Sequence, residues 1–152
     1  MSDLAAYKAI SGRLLPVWTI EIQTLPEDVD RILDAVMEVH PLSFGRYRRN
    51  ASISGVGKET SQPESGSTTT AHVEGFEVGA TETYPMVEMK ISVERDLAVP
   101  EKVMDRILSV HHYEELVIFV SEALASRTNY DPNSDNANRW WNNGRGLPGK
   151  VE

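Results

Sequence analysis

The chain has 152 residues, of which 40% are hydrophobic and 25% charged. This is enough for one domain with a real core and too little for two. Its 15 basic and 23 acidic side chains give a net charge of −8, which argues against general binding to nucleic acid or to an anionic membrane. The absence of cysteine excludes disulfides and thiolate chemistry. No apolar run is long enough to span a bilayer, and no signal-peptide pattern is present, so we expect a cytoplasmic protein.

The N-terminal part of the chain predicts two elements. Residues 1–14 carry apolar side chains close to one helical face, which predicts a short amphipathic segment packed on the main body. Residues 15–23 alternate between apolar and polar side chains, as in a half-buried strand. Its apolar face carries Trp18, Ile20 and Ile22.

The first long helix has a recognisable start and end. Thr24 and Glu27 have the spacing of a capping box, and Pro26 stands in the first turn, where its missing N–H is not needed. The helix should end near His40, because Pro41 disfavours helical geometry at the residue before it. Its buried stripe consists of Val29, Ile32, Leu33, Val36 and Met37.

The middle of the chain alternates between strand-like and loop-like segments. Residues 43–54 predict a second strand, and residues 54–71 predict a long loop because they contain almost no large apolar side chain. Residues 71–84 fit a ragged strand or a loop arm. Residues 86–93 predict a third strand with one apolar face. That face carries Val87, Met89, Ile91 and Val93.

The last third of the chain predicts one more helix and strand. The helix starts at residues 99–101 and ends at His111 and His112, and residues 116–124 form the most apolar strand. The polar segment after residue 125 predicts an arm whose tryptophans dock on the body or line a pocket or a subunit contact. The helix buries Val103, Ile107, Leu108 and Val110, and the arm carries Trp140 and Trp141.

The two halves of the chain repeat each other. Each reads strand, helix, strand, and each helix ends in a Val-His pair, at His40 and at His111. Two such halves predict an α+β ferredoxin-like sandwich, in which a four-stranded antiparallel sheet carries both helices on one face. We expect an N-terminal segment over residues 1–14, this domain over 15–125 and a C-terminal arm and tail over 126–152. The antiparallel helices place the two histidines at opposite ends of the sheet.

The densest group of potential ligands lies at residues 111–115. Imidazole and carboxylate together suit zinc or copper, so His111, His112, Glu114 and a loop partner, His72, are the candidate metal ligands. The same segment contains the candidate acid–base groups of an enzyme, which are His111, His112 and Tyr113. The alternative is purely structural: a helix C-terminus favours a protonated histidine, and a tyrosine covers the sheet edge.

One basic cluster interrupts the acidic sequence. On a strand, Arg46 and Arg48 would share one face and Tyr47 the other, and two guanidinium groups could hold a carboxylate or phosphate. We therefore assign Arg46, Tyr47, Arg48 and Tyr113 as candidate ligand-binding residues. The alternative is an exposed edge strand protected by charge from pairing with another chain.

Part of the sequence resembles a known group of proteins. The residues His-His-Tyr-Glu-Glu at 111–115, between a helix and an apolar strand, resemble the His-Pro-Tyr-Glu-Glu-Pro signature of the CutA family of divalent-ion tolerance proteins, which is PII-like, and of the insert domain of NIF-three-like proteins. Gly55, Gly57, Pro63 and Glu88 are similar to a Gly-rich passage of that insert. His112 and Leu116 replace the prolines of the signature.

The resemblance covers most of residues 15–125 and has functional implications. It implies a homotrimer that binds a divalent metal ion or a small anion where the 111–115 segment meets the loop over residues 55–84. The other hypotheses are an interaction module without a ligand and a small enzyme. That enzyme would be a metal-assisted or cofactor-free hydrolase or isomerase with a histidine base and an Arg46 or Arg48 anchor.

Overall fold

The computed structural model describes residues 4, 7–144 and 149. Six strands, three α-helices and a 3-10 helix make up its regular structure. The strands are β1 (Lys8–Ala9), β2 (Gly12–Thr24), β3 (Ser52–Ile53), β4 (Gly57–Ser61), β5 (Glu82–Glu94) and β6 (Ile118–Thr128). The helices are the 3-10 helix Pro26–Asp28, α1 (Val29–Val39), α2 (Thr68–His72) and α3 (Ala98–Val110).

The sheet is antiparallel and has β2 at its centre. Along one edge, β2 pairs with β6 from Gly12 opposite Thr128 to Ile22 opposite Ile118. Along the other edge it pairs with β5 from Val17 opposite Glu94 to Thr24 opposite Val87. The short strands β3 and β4 pair with the far side of β5, and β1 extends β2 as a small hairpin. This order, with α1 and α3 as crossovers, confirms the predicted ferredoxin-like sandwich.

The core lies between the sheet and the two long helices. Alternate residues of β2 and β5 face α1 and α3, as the period of two along a strand requires. Their side chains pack against the apolar stripes of the two helices and are buried there. The predicted apolar faces of both strands are therefore confirmed. The fully buried core side chains are Ile20, Ile22, Ile32, Val36, Leu42, Met89, Val103 and Ile107.

Several local predictions are wrong. Thr24 makes no capping bond: its hydroxyl is buried without a partner, and α1 begins instead through the 3-10 helix. The predicted strand over residues 43–54 is irregular until β3, because Leu42 and Arg49 take positive φ values and a tight turn joins Phe44 to Tyr47. Leu108, assigned to a buried stripe, is exposed on α3.

The flanking segments also differ from their predictions. Residues 8–14 form β1 and the start of β2 rather than a helical segment. The predicted loop over 54–71 contains β4, which extends the sheet along β5, and the single-turn helix α2. The C-terminal tail over 145–152 lies outside the described residues apart from Gly149. No helix in the described part of the chain is long and apolar enough to cross a membrane.

Two ends of the sheet matter for function. We call residues 111–115 the corner; there β2 ends, α1 begins and α3 ends. The residues from 55 to 84, which we call the arm, extend the sheet beyond the corner through the β4–β5 pairing. At the opposite end α1 stops at His40 and β6 stops at Thr128. Adjacent β6 residues rise about 3.3 Å, so roughly 30 Å separates the two ends.

Candidate functional site

His111 closes the end of α3 and is fully committed to hydrogen bonds. Its Nδ1 accepts the backbone N–H of Tyr113 at 3.0 Å, and its Nε2 lies 3.0 Å from the carbonyl oxygen of Gln23. A carbonyl can only accept, so Nε2 carries the proton and the ring is neutral. Burial also lowers the pKa of His111, against the opposing effect of the Gln23 bond. Neither nitrogen of His111 is free to bind a metal ion.

His40 has the same role in the first repeat. Its Nδ1 accepts the backbone N–H of Leu42 at 3.0 Å, and its Nε2 donates to Glu94 at 2.6 Å. Each repeat therefore ends its helix with a histidine that bonds the amide two residues later and an acceptor on a neighbouring strand. The repeated Val-His pair in the sequence therefore marks the two places where a histidine ends a helix through these hydrogen bonds. The two histidines lie at opposite ends of the sheet, as predicted.

The His40–Glu94 contact predicts an acid-dependent loss of stability. Hydrogen bonds from its own backbone and then from His40 hold the pKa of Glu94 below its usual value of 4.5. A lowered carboxyl pKa adds stability above about 4.5, which is lost as pH falls through the native value. We expect Glu94→Gln to flatten this part of the stability profile, measured by denaturant unfolding between about pH 6 and about pH 3. The exposed Asp105→Asn is the control; equal slopes would contradict the prediction.

Tyr113 and Glu114 fasten the arm to the corner. The Tyr113 hydroxyl donates to the Glu59 carboxylate on β4, and burial, followed by this carboxylate, raises the tyrosine pKa above its usual value. Glu114 accepts the backbone N–H of Thr68 at 2.8 Å and its hydroxyl at 2.7 Å. The bond from the Thr68 amide lowers the pKa of Glu114. Both side chains therefore hold the arm in place.

His112 is the histidine of the corner that remains available. Its side chain is 67% exposed, and its Nδ1 lies 3.9 Å from Asp28 Oδ2, which is too long for a hydrogen bond. The Asp28 side chain is only 10% exposed: Oδ1 pairs with Arg31 at 2.8 Å, whereas Oδ2 is buried without a hydrogen-bond partner. The buried hydroxyl of Thr24, four residues before Asp28, is likewise unpartnered.

The polar groups left without partners at this end of the sheet differ from the ligand set predicted from the sequence. They are the buried oxygen atoms of Asp28 and Thr24 and the exposed imidazole of His112. Among the described residues, however, no three histidine, aspartate or glutamate side chains lie close enough together to hold a metal ion. His72 stands at the far end of α2, about 6 Å along the helix from Thr68. Its role as a ligand stays a prediction.

The predicted anion-binding residues lie at the other end of the sheet. Arg46, Tyr47 and Arg48 belong to the turn after α1 and are exposed, and Arg46 lies over the ring of Tyr130 beyond the end of β6. A tight turn replaces the strand on which a common face of Arg46 and Arg48 was expected, so the strand part of that prediction is wrong. Within one chain the corner histidines and these arginines do not form one pocket.

Nothing in the sequence placed Asp28, Thr24 and Arg31 beside the corner. Asp28 carried a weak signal, since it is an acidic residue in the first turn of a helix, but that position usually serves the helix itself. Only the tertiary contact brings it to His112. The catalytic and ligand-binding roles predicted for Tyr113 stay predictions. Its hydrogen-bond partner Glu59 lies 54 residues away, in a segment without a hydrophobic pattern.

The two tryptophans of the C-terminal arm lie together. Their rings are 5.8 Å apart at 90°, and Arg139 lies over Trp141. Both rings keep more than a third of their surface exposed. The two rings therefore pack on each other and are not buried in the core.

The chain is similar to several solved structures. No protein-family model matches the sequence, and no curated protein matches it. A Bacillus cereus protein related to NIF3 is 16% identical, with a TM-score of 0.55; the match covers 76% of this chain and 29% of that chain. The periplasmic divalent cation tolerance protein CutA from Archaeoglobus fulgidus is 16% identical, with a TM-score of 0.46, 69% of this chain and 81% of that chain covered. The divalent ion tolerance protein CutA1 from Ehrlichia chaffeensis is 12% identical, with a TM-score of 0.49. That match covers 89% of this chain and 95% of that chain.

The likeness to the NIF3-related protein bears on the fold. The described chain has the ferredoxin-like architecture of the matched segment of that protein, and the chain spans less than a third of that protein's length. The resemblance to NIF-three-like proteins identified in the sequence is therefore confirmed at the level of the fold.

Proposed function

We propose that this protein is a homo-oligomer that binds a divalent metal ion at the corner, with His112 as its main protein ligand. The free imidazole beside the orphaned, buried Asp28 oxygen carries this proposal. A carboxylate next to one ring nitrogen orients a histidine and leaves the other nitrogen to bind the metal. Zinc and copper are the ions that this donor set suits.

The charge around the corner favours a cation over an anion. Acidic side chains predominate on the 3-10 helix, the arm and the corner, where Lys58 is the one lysine or arginine. Arg31 follows on the first turn of α1. Such a field concentrates cations and repels phosphates and carboxylates. The acidic residues are Glu27, Asp28, Glu59, Glu64, Glu74, Glu77, Glu82, Glu114 and Glu115.

The exposed edge of the sheet supports a homo-oligomer. In the described part of the chain β6 pairs with β2 alone, so eleven residues of strand leave one edge open. Phe119 and Val120 are exposed on this strand, and Val117, directly before it, is exposed as well. A long, apolar edge strand invites pairing with another chain unless a partner covers it. The resemblance to CutA proteins implies that the assembly is a trimer, and a neighbouring subunit would then be able to supply the missing metal ligands.

Metal titration tests the site directly. We expect calorimetric titration with zinc or copper to show saturable binding that His112→Ala abolishes and Asp28→Asn weakens about 10- to 100-fold. His72→Ala is the comparison variant, because its imidazole is also exposed but has no carboxylate within 4.0 Å in the described structure. Unchanged binding in His112→Ala, or loss in His72→Ala alone, would contradict the assignment.

A further inference from the structure

Three arginines at the end of the sheet opposite the corner are held by neutral groups. The Arg127 guanidinium lies 4.3 Å from the centre of the Phe44 ring and donates to the carbonyl of Ser126 at 2.8 Å. Arg13 stands directly opposite Arg127 in the pairing of β2 with β6. We call this surface, with its aromatic neighbours, the arginine end.

The remaining contacts complete the arginine end. Arg13 donates to the side-chain oxygen of Asn129 at 3.2 Å. The Arg46 guanidinium lies 5.4 Å from the centre of the Tyr130 ring. Two stacking contacts thus bind the turn after α1 to the end of β6. Aromatic faces hold a guanidinium in place while leaving its N–H groups free to donate.

The arginine end lacks negative partners in an acidic protein. Elsewhere Arg31, Arg49, Arg95 and Arg106 each pair with a carboxylate. No described carboxylate lies within ion-pair distance of Arg13, Arg46 or Arg127. Arg127 contributes from beyond that distance to the lowered pKa of Glu94, but the Glu94 carboxylate is hydrogen-bonded to His40. Like charges directly opposite on antiparallel strands are unfavourable. A negative partner from outside the chain would remove that penalty.

The tip of the arm, by which we mean residues 73–78, has chemistry complementary to that of the arginine end. Glu74 and Glu77 are exposed and form no ion pair in the described structure, and Val73 and Val78 beside them are exposed. The whole arm carries five glutamates and one lysine. Carboxylates beside small apolar side chains match guanidinium groups beside aromatic rings, in both charge and polarity.

We propose that the arginine end of one copy binds the arm tip of a second copy. The two surfaces lie at opposite ends of the sheet, so the contact is heterologous and can repeat around a closed ring, as a homotrimer requires. This inference rests on the proposed homo-oligomer and names the charged contact within it. A second copy is favoured over a small anion because the complementary surface is present on the same chain and because exposed Tyr47 extends the contact area.

Charge reversal and its compensation within one chain test the contact. Arg13→Glu with Arg127→Glu makes one variant, and Glu74→Arg with Glu77→Arg makes the other. Each alone should raise the dissociation constant of the assembly at least about 100-fold in sedimentation equilibrium, and a chain that carries all four changes should assemble again, because every contact of the ring is then complementary. Wild-type assembly should weaken between about 50 mM and about 500 mM NaCl. Lys102→Glu, on the exposed side of α3, controls for reversing a charge elsewhere.

The outcomes separate this contact from the proposed function. An oligomer that persists in both variants, or a four-change chain that stays dissociated, overturns the contact and leaves the homo-oligomer standing. Saturable binding of inorganic phosphate or citrate that the arginine variant abolishes, with assembly unchanged, overturns it in favour of a small-anion site. A monomeric wild type overturns the homo-oligomer and this contact together, while the metal titration still tests the corner.

Discussion

Replacing His111 with alanine is expected to lower the free energy of unfolding by about 2–3 kcal/mol, because the change leaves both the Gln23 carbonyl and the Tyr113 amide without partners. The same change at His112 should lower it by less than about 0.5 kcal/mol, since His112 is exposed and makes no hydrogen bond in the described structure. Denaturant unfolding at one fixed protein concentration measures both.

The pH dependence of stability gives a second readout for His111. Burial lowers its pKa below the usual 6.5, so the folded chain binds the proton less readily than the unfolded chain. This group therefore adds stability above about pH 6.5, and the contribution is lost as pH falls through the native pKa. His111→Ala should flatten the profile there. His111→Gln, which keeps a donor and an acceptor, should recover part of the stability; equal losses at His111 and His112 would contradict the structural role.

Placing a charge on the open edge of β6 is expected to dissociate the assembly. Phe119 is 56% exposed on this strand and is the largest apolar side chain there. If a neighbouring subunit covers it, Phe119→Lys buries a charge in that interface and should raise the dissociation constant about 30-fold or more, as for an interface hot spot. Native mass spectrometry and sedimentation equilibrium measure the change.

A matched surface variant makes this test specific. Leu97→Lys introduces the same charge at a leucine that is 78% exposed in the turn before α3, away from β6. We expect it to leave the assembly intact. The interface assignment fails if Leu97→Lys dissociates the protein as strongly as Phe119→Lys, or if Phe119→Lys stays fully assembled.

The corner shows how far residue types alone lead. The cluster at 111–115 was identifiable because histidine, tyrosine and carboxylates are concentrated there. Their division into structural and available groups was not, because it depends on which backbone groups and side chains meet them in space. The Gln23 carbonyl bonds one nitrogen of His111, Thr68 donates to Glu114, and Asp28 lies beside His112. Each of these partners is far away in the sequence and is brought close only by the fold.

For the basic cluster at residues 46–48, the residue types were recognised but the local structure was predicted wrongly. The sequence marked Arg46 and Arg48 as the unusual cations of an acidic chain, and a strand pattern placed them on one face. Positive φ values at Leu42 and Arg49 turned the segment into a compact loop instead. The arginines that stack on Phe44 and Tyr130 were recognisable only after β6 brought Arg127 beside that loop.

The two strand–helix–strand repeats of this protein could be predicted from its amino-acid sequence. Apolar alternation along β2 and β5 and the stripes of α1 and α3 indicate them, because each element can bury its apolar face only against the others. Which polar groups are hydrogen-bonded and which stay available is visible only in the folded chain. Hydrogen bonds and ion pairs act over a few ångströms between residues far apart in the chain, and no periodicity in the sequence records them.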